Sequence, residues 1–226
     1  MTLPSPELAA WRPRFAALAL AAAGDDGAHD ASHLERVWRS AEALLVHHPE
    51  TDPLVVMAAS YLHDLVNLPK DDPARAQASR RSAELARVQL ADIGFPPDRL
   101  DAVAHAIEAH SFSAAIAPTT IEAKIVQDAD RLDALGAVGL ARMFYVSGRL
   151  GRALAHPTDP LAAQRALDDG AWSLDHIAVK LAQLPQMMQT DAGRAMANAR
   201  LGKLLEFRQA FAEEWLGQSP AGAGIA

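Results

Sequence analysis

The stretch Asp52-Pro53-Leu54-Val55-Val56-Met57-Ala58-Ala59-Ser60-Tyr61-Leu62-His63-Asp64-Leu65-Val66 decides how this chain reads. Asp52-Pro53 opens a helix, because the carboxylate can cap the first N–H groups and proline's fixed φ suits the first turn. Leu54, Val55, Ala58, Ala59, Leu62, Leu65 and Val66 then cover so broad a face that the helix is expected to be central and largely buried, ending before Pro69. Inside this apolar run stand His63 and Asp64. Burying them costs on the order of 2–7 kcal/mol for an unpaired polar group, and more for a carboxylate. A bound divalent cation would remove that cost; so would a His with one hydrogen bond beside an Asp paired to an Arg.

Outward from that helix, Ala and Leu dominate, aromatics are 5% and β-branched runs are scarce, so summed propensities give an all-α chain. A first helix is expected from Ser5-Pro6-Glu7 to Gly24, kinked or divided at Pro13. A second runs from about Asp30 to His47, a fourth from Pro73 to Asp92 closed by Gly94, and a fifth from Pro96-Pro97 to near His110. Thr119 with Glu122 suggests a capping box for a helix through Val126, followed by another from Leu132 to Tyr145. From Ser147 to Gly170 the Gly and Pro content suggests a flap or partly helical insertion. Helices over Trp172–Leu184 and Asp191–Leu216 complete one domain, residues 1–216, before a disordered tail at 217–226.

Composition excludes several classes. The chain has 226 residues, 50% of them hydrophobic and none of them Cys, so a disulfide scaffold, a thiolate zinc site and a cysteine nucleophile are ruled out. Nine His residues are left to carry any metal chemistry. The 28 Asp and Glu against 21 Lys and Arg give a net charge of -7, which argues against a nucleic-acid polymer as partner. The apolar run Phe15–Ala23 is too short to span a bilayer and lacks the flanks of an export signal, so a cytoplasmic protein with no membrane partner is expected. Oligomeric state has no signature in the sequence.

Two further residues turn His63-Asp64 into a constellation. His33 lies on the second helix, and Asp130 sits in the acidic segment Gln127-Asp128-Ala129-Asp130-Arg131-Leu132-Asp133. Two imidazoles and two carboxylates from separate helices are a sensible way to fix a metal in a helical bundle. Neighbouring helical positions point about 100° apart, so His63 and Asp64 can share an ion only if it lies off the helix flank.

The order His33, His63-Asp64, Asp130 resembles the H…HD…D signature of the HD-domain superfamily of metal-dependent phosphohydrolases, in its small stand-alone bacterial branch. Ser32-His33-Leu34-Glu35-Arg36-Val37, Tyr61-Leu62-His63-Asp64, Ile107-Glu108-Ala109-His110-Ser111 and Lys124 through Gly136 are similar too, and the likeness runs from about residue 8 to 215. It implies a helical bundle, one divalent metal on His33, His63, Asp64 and Asp130, and hydrolysis of a phosphate ester or anhydride. Independently of the resemblance, such a hard, nitrogenous donor set suits Mn²⁺ or Mg²⁺, with Co²⁺, Ni²⁺ or Fe²⁺ as alternatives, in octahedral geometry that leaves two positions open. Four protein ligands on tetrahedral zinc would instead make a closed, structural site.

The expected substrate is a small phosphorylated molecule, a nucleotide, and the expected reaction converts a (deoxy)nucleoside triphosphate to monophosphate and pyrophosphate. A nucleoside monophosphate phosphatase (5'-nucleotidase), a ppGpp-type hydrolase and a non-catalytic metal- or nucleotide-binding module are the alternatives. His110, ending a helix beside Ser111, is the candidate to take or relay a proton, or else it only caps carbonyls. His105, about 140° around the same helix, is not expected to share the site. His29 or Asp30 could orient His33, with an N-cap of the second helix the simpler account of Asp30; Asp133 could cap the next helix, and Arg131 could neutralise the acidic segment. Lys70, Arg80 and Arg81, from a basic segment that also contains Arg75, are candidate phosphate contacts, as are His176 and Lys180; each is equally at home as a solvated surface residue.

Overall fold

The computed structural model describes residues 5–22, 31–68, 72 and 74–217. Among them the chain is all-helical, with no β-strand; the only strand-like feature is an isolated parallel bridge between Ala153 and Trp172. The described chain divides into two compact units. The first comprises residues 1–133 with 189–193, and the second comprises 134–188 with 194–226.

The first unit is built around the helix that the sequence marks as central. Helix α1 spans Pro6–Ala22, α2 Ala31–Leu45, α3 Pro53–Leu62, α4 Ala78–Asp92, α5 Leu100–His110 and α6 Ile121–Leu132. Every residue of α3 from Leu54 to Leu62 is buried, and the helix packs on α1, α2, α5 and α6. Asp52 caps it as expected, accepting from the N–H groups of Leu54 and Val55. Helix α3 is shorter than its apolar pattern suggests, because His63 is already its C-cap and the apolar residues Leu65 and Val66 lie in the turn beyond.

Other boundaries differ for identifiable reasons. Helix α1 runs through Pro13 undivided. Single 3₁₀ turns, Arg75–Gln77 and Pro97–Arg99, precede α4 and α5 where continuous α-helix is expected. Gly94, at φ +74°, closes α4 as predicted, with the Phe95 N–H reaching back to the Leu90 carbonyl. The cap of α6 is Thr120 rather than Thr119, and Glu122 instead accepts from the Asp52 N–H at the start of α3. Helix α6 continues through the acidic segment to Leu132, so Asp130 is presented from a helix and the next helix starts later than expected.

The second unit contains α7, Gly136–Arg149, the short α8, Asp175–Val179, a 3₁₀ stretch Leu181–Met187, and most of α9, Asp191–Trp215. The single helix expected over Trp172–Leu184 is therefore two pieces. Phe144, Phe207, Phe211 and Trp215 form a chain of ring contacts between α7 and α9, with centroids 5.4–6.2 Å apart. Of Ser147–Gly170, expected to be a flap or a partly helical insertion, residues 147–149 end α7 and 150–170 contain no helix. This segment is held by side-chain bonds to the backbone: Asp159 accepts from the N–H groups of Ala163 and Gln164, Arg208 donates to the Leu161 carbonyl and Trp215 to that of Pro157.

No helix among the described residues is long and apolar enough to cross a membrane. The expected tail beyond Leu216 falls almost wholly on residues outside the described ones, as do Gly24, His29, Asp30, Pro69, Lys70 and Pro73.

Candidate metal centre

Three helix ends of the first unit deliver the site. His63 is the C-cap of α3 and Asp64 follows it, His110 is the last residue of α5, and Asp130 lies in the last turn of α6. The C-terminal end of a helix carries partial negative charge, so all three favour a cation. His33 completes the group from α2.

The geometry is tight. The Nε2 atoms of His33 and His63 are 3.3 Å apart. Asp130 Oδ1 lies 3.5 Å from His33 Nε2 and 3.8 Å from His63 Nε2, and Asp64 Oδ2 lies 4.0 and 3.6 Å from the same two atoms. Both imidazoles are 1% exposed, whereas the Asp64 and Asp130 side chains are partly open at 21 and 28%. The centre is therefore buried on its nitrogen side and reachable on its carboxylate side.

Hydrogen bonds fix which ring nitrogen faces the centre. His63 Nδ1–H donates to the Ser60 carbonyl at 3.0 Å, and His33 Nδ1–H donates to Asp133 Oδ2 at 2.8 Å. In their neutral forms both rings thus turn an Nε2 lone pair inward. Burial lowers the His63 pKa to about 4, outweighing the pull of Asp64 and Asp130, so this ring stays neutral at ordinary pH. Two imidazole lone pairs and two carboxylates pointing at one another repel unless positive charge lies among them. A divalent cation fits this donor set.

His110 has its Nδ1 on the Ile107 carbonyl at 2.6 Å and its Nε2 3.6 Å from Asp64 Oδ1. Burial lowers its pKa, but the hydrogen bond and charge of Asp64, with the charge of Asp130, carry it above the ordinary value. His63 and His110 are thus shifted in opposite directions, burial dominating at the first and the nearby carboxylates at the second. His63, His110 and Asp130 also offer ligand atoms within 4.8 Å of one another, as do His33, His63 and Asp64.

Two participants were not assigned these roles from the sequence. Asp133 caps no following helix; it closes α6, and its carboxylate is held by Arg36 through Nε at 2.8 Å and Nη2 at 3.0 Å while it orients His33. The spacing contained a signal, because His33 and Arg36 are three apart on one helix as Asp130 and Asp133 are on another. Asp128 instead accepts from the N–H groups of Gln189 and Thr190 and from the Thr190 hydroxyl, tying α6 to the start of α9. An added Cβ at Gly193 would meet Asp128 Oδ2 at 2.3 Å, so glycine is required there. Arg131 lies within electrostatic reach of Asp128 and Asp130, and burial lowers its pKa. His105 accepts from the Thr119 N–H and takes no part in the centre.

The candidate phosphate contacts are dispersed. Arg80 and Arg81 are exposed on α4, and Arg81 donates to Gln77. In the second unit His176 Nδ1 lies 2.7 Å from Asp169 Oδ2, and Lys180 falls past the end of α8, so the two do not share a helical face.

With this geometry established, the chain can be compared with known proteins. Residues 30–135 match the HD domain family, and the matched span contains His33, His63, Asp64, His110, Asp130 and Asp133. The Bacillus subtilis protein YpgQ is 34% identical over 187 residues, covering 81% of this chain and 82% of that protein. The chain belongs to the HD-domain superfamily. It is similar to the crystal structure of Bacillus subtilis YpgQ in complex with ADP, with a TM-score of 0.70, 29% identity, and coverage of 91% of this chain and 95% of that one. It also resembles an HD-superfamily hydrolase from Bacillus thuringiensis, with a TM-score of 0.70, 27% identity and coverage of 93 and 99%. A Lactobacillus plantarum protein matches at a TM-score of 0.68 and 28% identity, over 92% of this chain and 98% of that one. In this HD protein α2, α3, α5 and α6 bring together a His/Asp cluster that could hold a metal ion.

Proposed function

We propose that this chain is a metal-dependent phosphohydrolase of nucleotides that converts (deoxy)nucleoside triphosphates to monophosphates and pyrophosphate. The observation that carries the reading is the meeting of two imidazole Nε2 atoms and two carboxylates, with exposure confined to the carboxylate side. The ADP complex of YpgQ supports a nucleotide as the ligand class.

His33, His63, Asp64 and Asp130 would hold a divalent ion, Mn²⁺ or Mg²⁺, on the donor set described. Such an ion supplies a Lewis acid that polarises a phosphoryl oxygen and acidifies water. Asp133, braced by Arg36, keeps the His33 ring in the tautomer that offers Nε2. Ser60 does the same for His63 through its carbonyl. His110, whose pKa the neighbouring Asp64 and Asp130 raise, is the residue proposed to relay a proton to the departing phosphate oxygen. Lys70, Arg80, Arg81, His176 and Lys180 are proposed as further phosphate contacts, and Lys180→Ala is expected to raise KM; an unchanged KM moves that contact elsewhere.

The test is a screen of nucleoside mono-, di- and triphosphates with Mn²⁺, Mg²⁺, Co²⁺ or Ni²⁺ and with EDTA, reading phosphate and pyrophosphate separately. Pyrophosphate from triphosphates, stopped by EDTA, is the expected result. Phosphate from monophosphates would replace this reading with the 5'-nucleotidase, and no turnover with any metal would leave a binding module.

A further inference from the structure

Close in sequence to the two central histidines, α2 and α3 are tied a second time. Glu35 stands two residues after His33 on α2, and Tyr61 stands two residues before His63 on α3. The Tyr61 hydroxyl donates to Glu35 Oε2. Arg12 of α1 closes the group, its Nε donating to the Tyr61 hydroxyl at 3.0 Å and its Nη2 to Glu35 Oε1. One turn along α2, Arg39 Nε lies 3.4 Å from the same Glu35 oxygen. Tyr61 is 3% exposed, so its hydroxyl depends on partners within the chain, and it both donates and accepts there.

The network bears on the centre because of what the other bonds leave open. The Ser60 carbonyl and the Asp133 carboxylate fix the direction of the His63 and His33 rings, but Ser60 belongs to α3 itself and Asp133 to the end of α6. Neither sets α2 against α3. The 3.3 Å between the two Nε2 atoms depends on that placement. Apolar burial holds helices together without direction, whereas hydrogen bonds weaken steeply with angle and so select one arrangement. An exposed ion pair alone contributes little, and Arg12 is 44% exposed; its bond to a buried phenol is what gives it leverage. Arg12 is also the informative member, since α1 lies outside residues 30–135 that match the HD family.

We propose that Arg12, Glu35 and Tyr61 are positioning residues for the metal centre, a brace that sets α2 against α3 so that His33 and His63 present their Nε2 atoms to one ion. This rests on the cation assignment given under Proposed function. It deepens that assignment by giving α1 a part in it. Side chains behind a ligand set its geometry, and a site left unsupported by even about 0.5 Å loses affinity.

The test uses the full chain and three readouts: Mn²⁺ affinity by calorimetry, the visible absorption of bound Co²⁺, which reports the ligand geometry, and the urea midpoint. The variants are Tyr61→Phe, Arg12→Ala, Arg12→Lys and, as control, Arg99→Ala. Arg99 ties Glu7 of α1, at 3.0 Å, to Asp52, at 2.7 Å, which caps the opposite end of α3 from His63. Tyr61→Phe is expected to bind Mn²⁺ about fivefold more weakly and Arg12→Ala about tenfold more weakly, each with an altered Co²⁺ band. Arg12→Lys should recover part of the loss, because it keeps a charge toward Glu35. Arg99→Ala is expected to lower the urea midpoint while keeping the affinity and the band. Wild-type affinity and band in both Tyr61→Phe and Arg12→Ala, or equal weakening in Arg99→Ala, would overturn the brace and leave the cation assignment standing. Wild type that binds neither ion would instead remove the cation assignment, and the brace with it.

Discussion

In the second unit the buried carboxylate of Asp175 is met by donors on both oxygens. Arg165 Nη2 donates to Oδ1 at 2.8 Å, while Arg165 Nη1 and the Asp168 N–H donate to Oδ2 at 2.6 and 2.7 Å. In the first unit the carboxylates of Asp64 and Asp130 look instead toward two imidazole lone pairs. The same contrast occurs within α6, where Asp128 is held by Thr190 and Gln189 while Asp130, two residues on, faces the centre. A buried acid surrounded by donors is part of the scaffold. Asp64 and Asp130, set among the Nε2 atoms of His33 and His63, are instead the acids proposed to hold a cation.

Substitution can break the contrast from either side. Asp64→Ala is expected to abolish nucleotide turnover, by on the order of 10³-fold or more, while the metal-free chain keeps its stability in urea; full activity in this variant would remove the central assignment. Asp175→Ala is expected to do the reverse. It should lower unfolding free energy by about 3–5 kcal/mol in denaturant titration, because Arg165 loses its buried partner, yet leave Mn²⁺ affinity unchanged.

The pH dependence follows from His63. Its folded pKa is about 4, below the ordinary 6.5, so between these values the unfolded chain takes up a proton that the folded chain refuses. Stability of the metal-free chain should fall as the pH drops from 6.5 toward 4, by up to about 3 kcal/mol, and level off below. His110, raised, acts with the opposite sign, and its contribution fades as the pH rises through its folded value. His63→Gln is expected to flatten the acid limb in chemical denaturation. The smallest effect belongs to the support of His33: Asp133→Asn should weaken Mn²⁺ binding by about 10–100-fold and leave the fold intact, and unchanged affinity would assign Asp133 to the scaffold.

Local chemistry made much of this legible in advance. The Asp52-Pro53 cap, the apolar face of α3 and Gly94 each act within a few residues, and each appears where the sequence places it. The histidines and carboxylates that converge were recognisable as a group because their types match one chemistry. Non-local partners hid the rest. Helix α6 extends past Asp128 to its cap Asp133, and these two acids meet the backbone at 189–190 and the side chains of His33 and Arg36, pairings without a local signature. Gly and Pro in 150–174 disfavour helix, but the segment's internal ties depend on Asp159, Arg208 and Trp215, side chains that reach from 4 to 58 residues away.

The most direct measurement is calorimetric titration of Mn²⁺ into the EDTA-stripped chain, alongside Asp64→Ala and Asp175→Ala. One ion per chain, lost in the Asp64 variant and kept in the Asp175 variant, is the result expected of a cation-binding acceptor cluster. Absence of binding in wild type, or equal binding in Asp64→Ala, would contradict it.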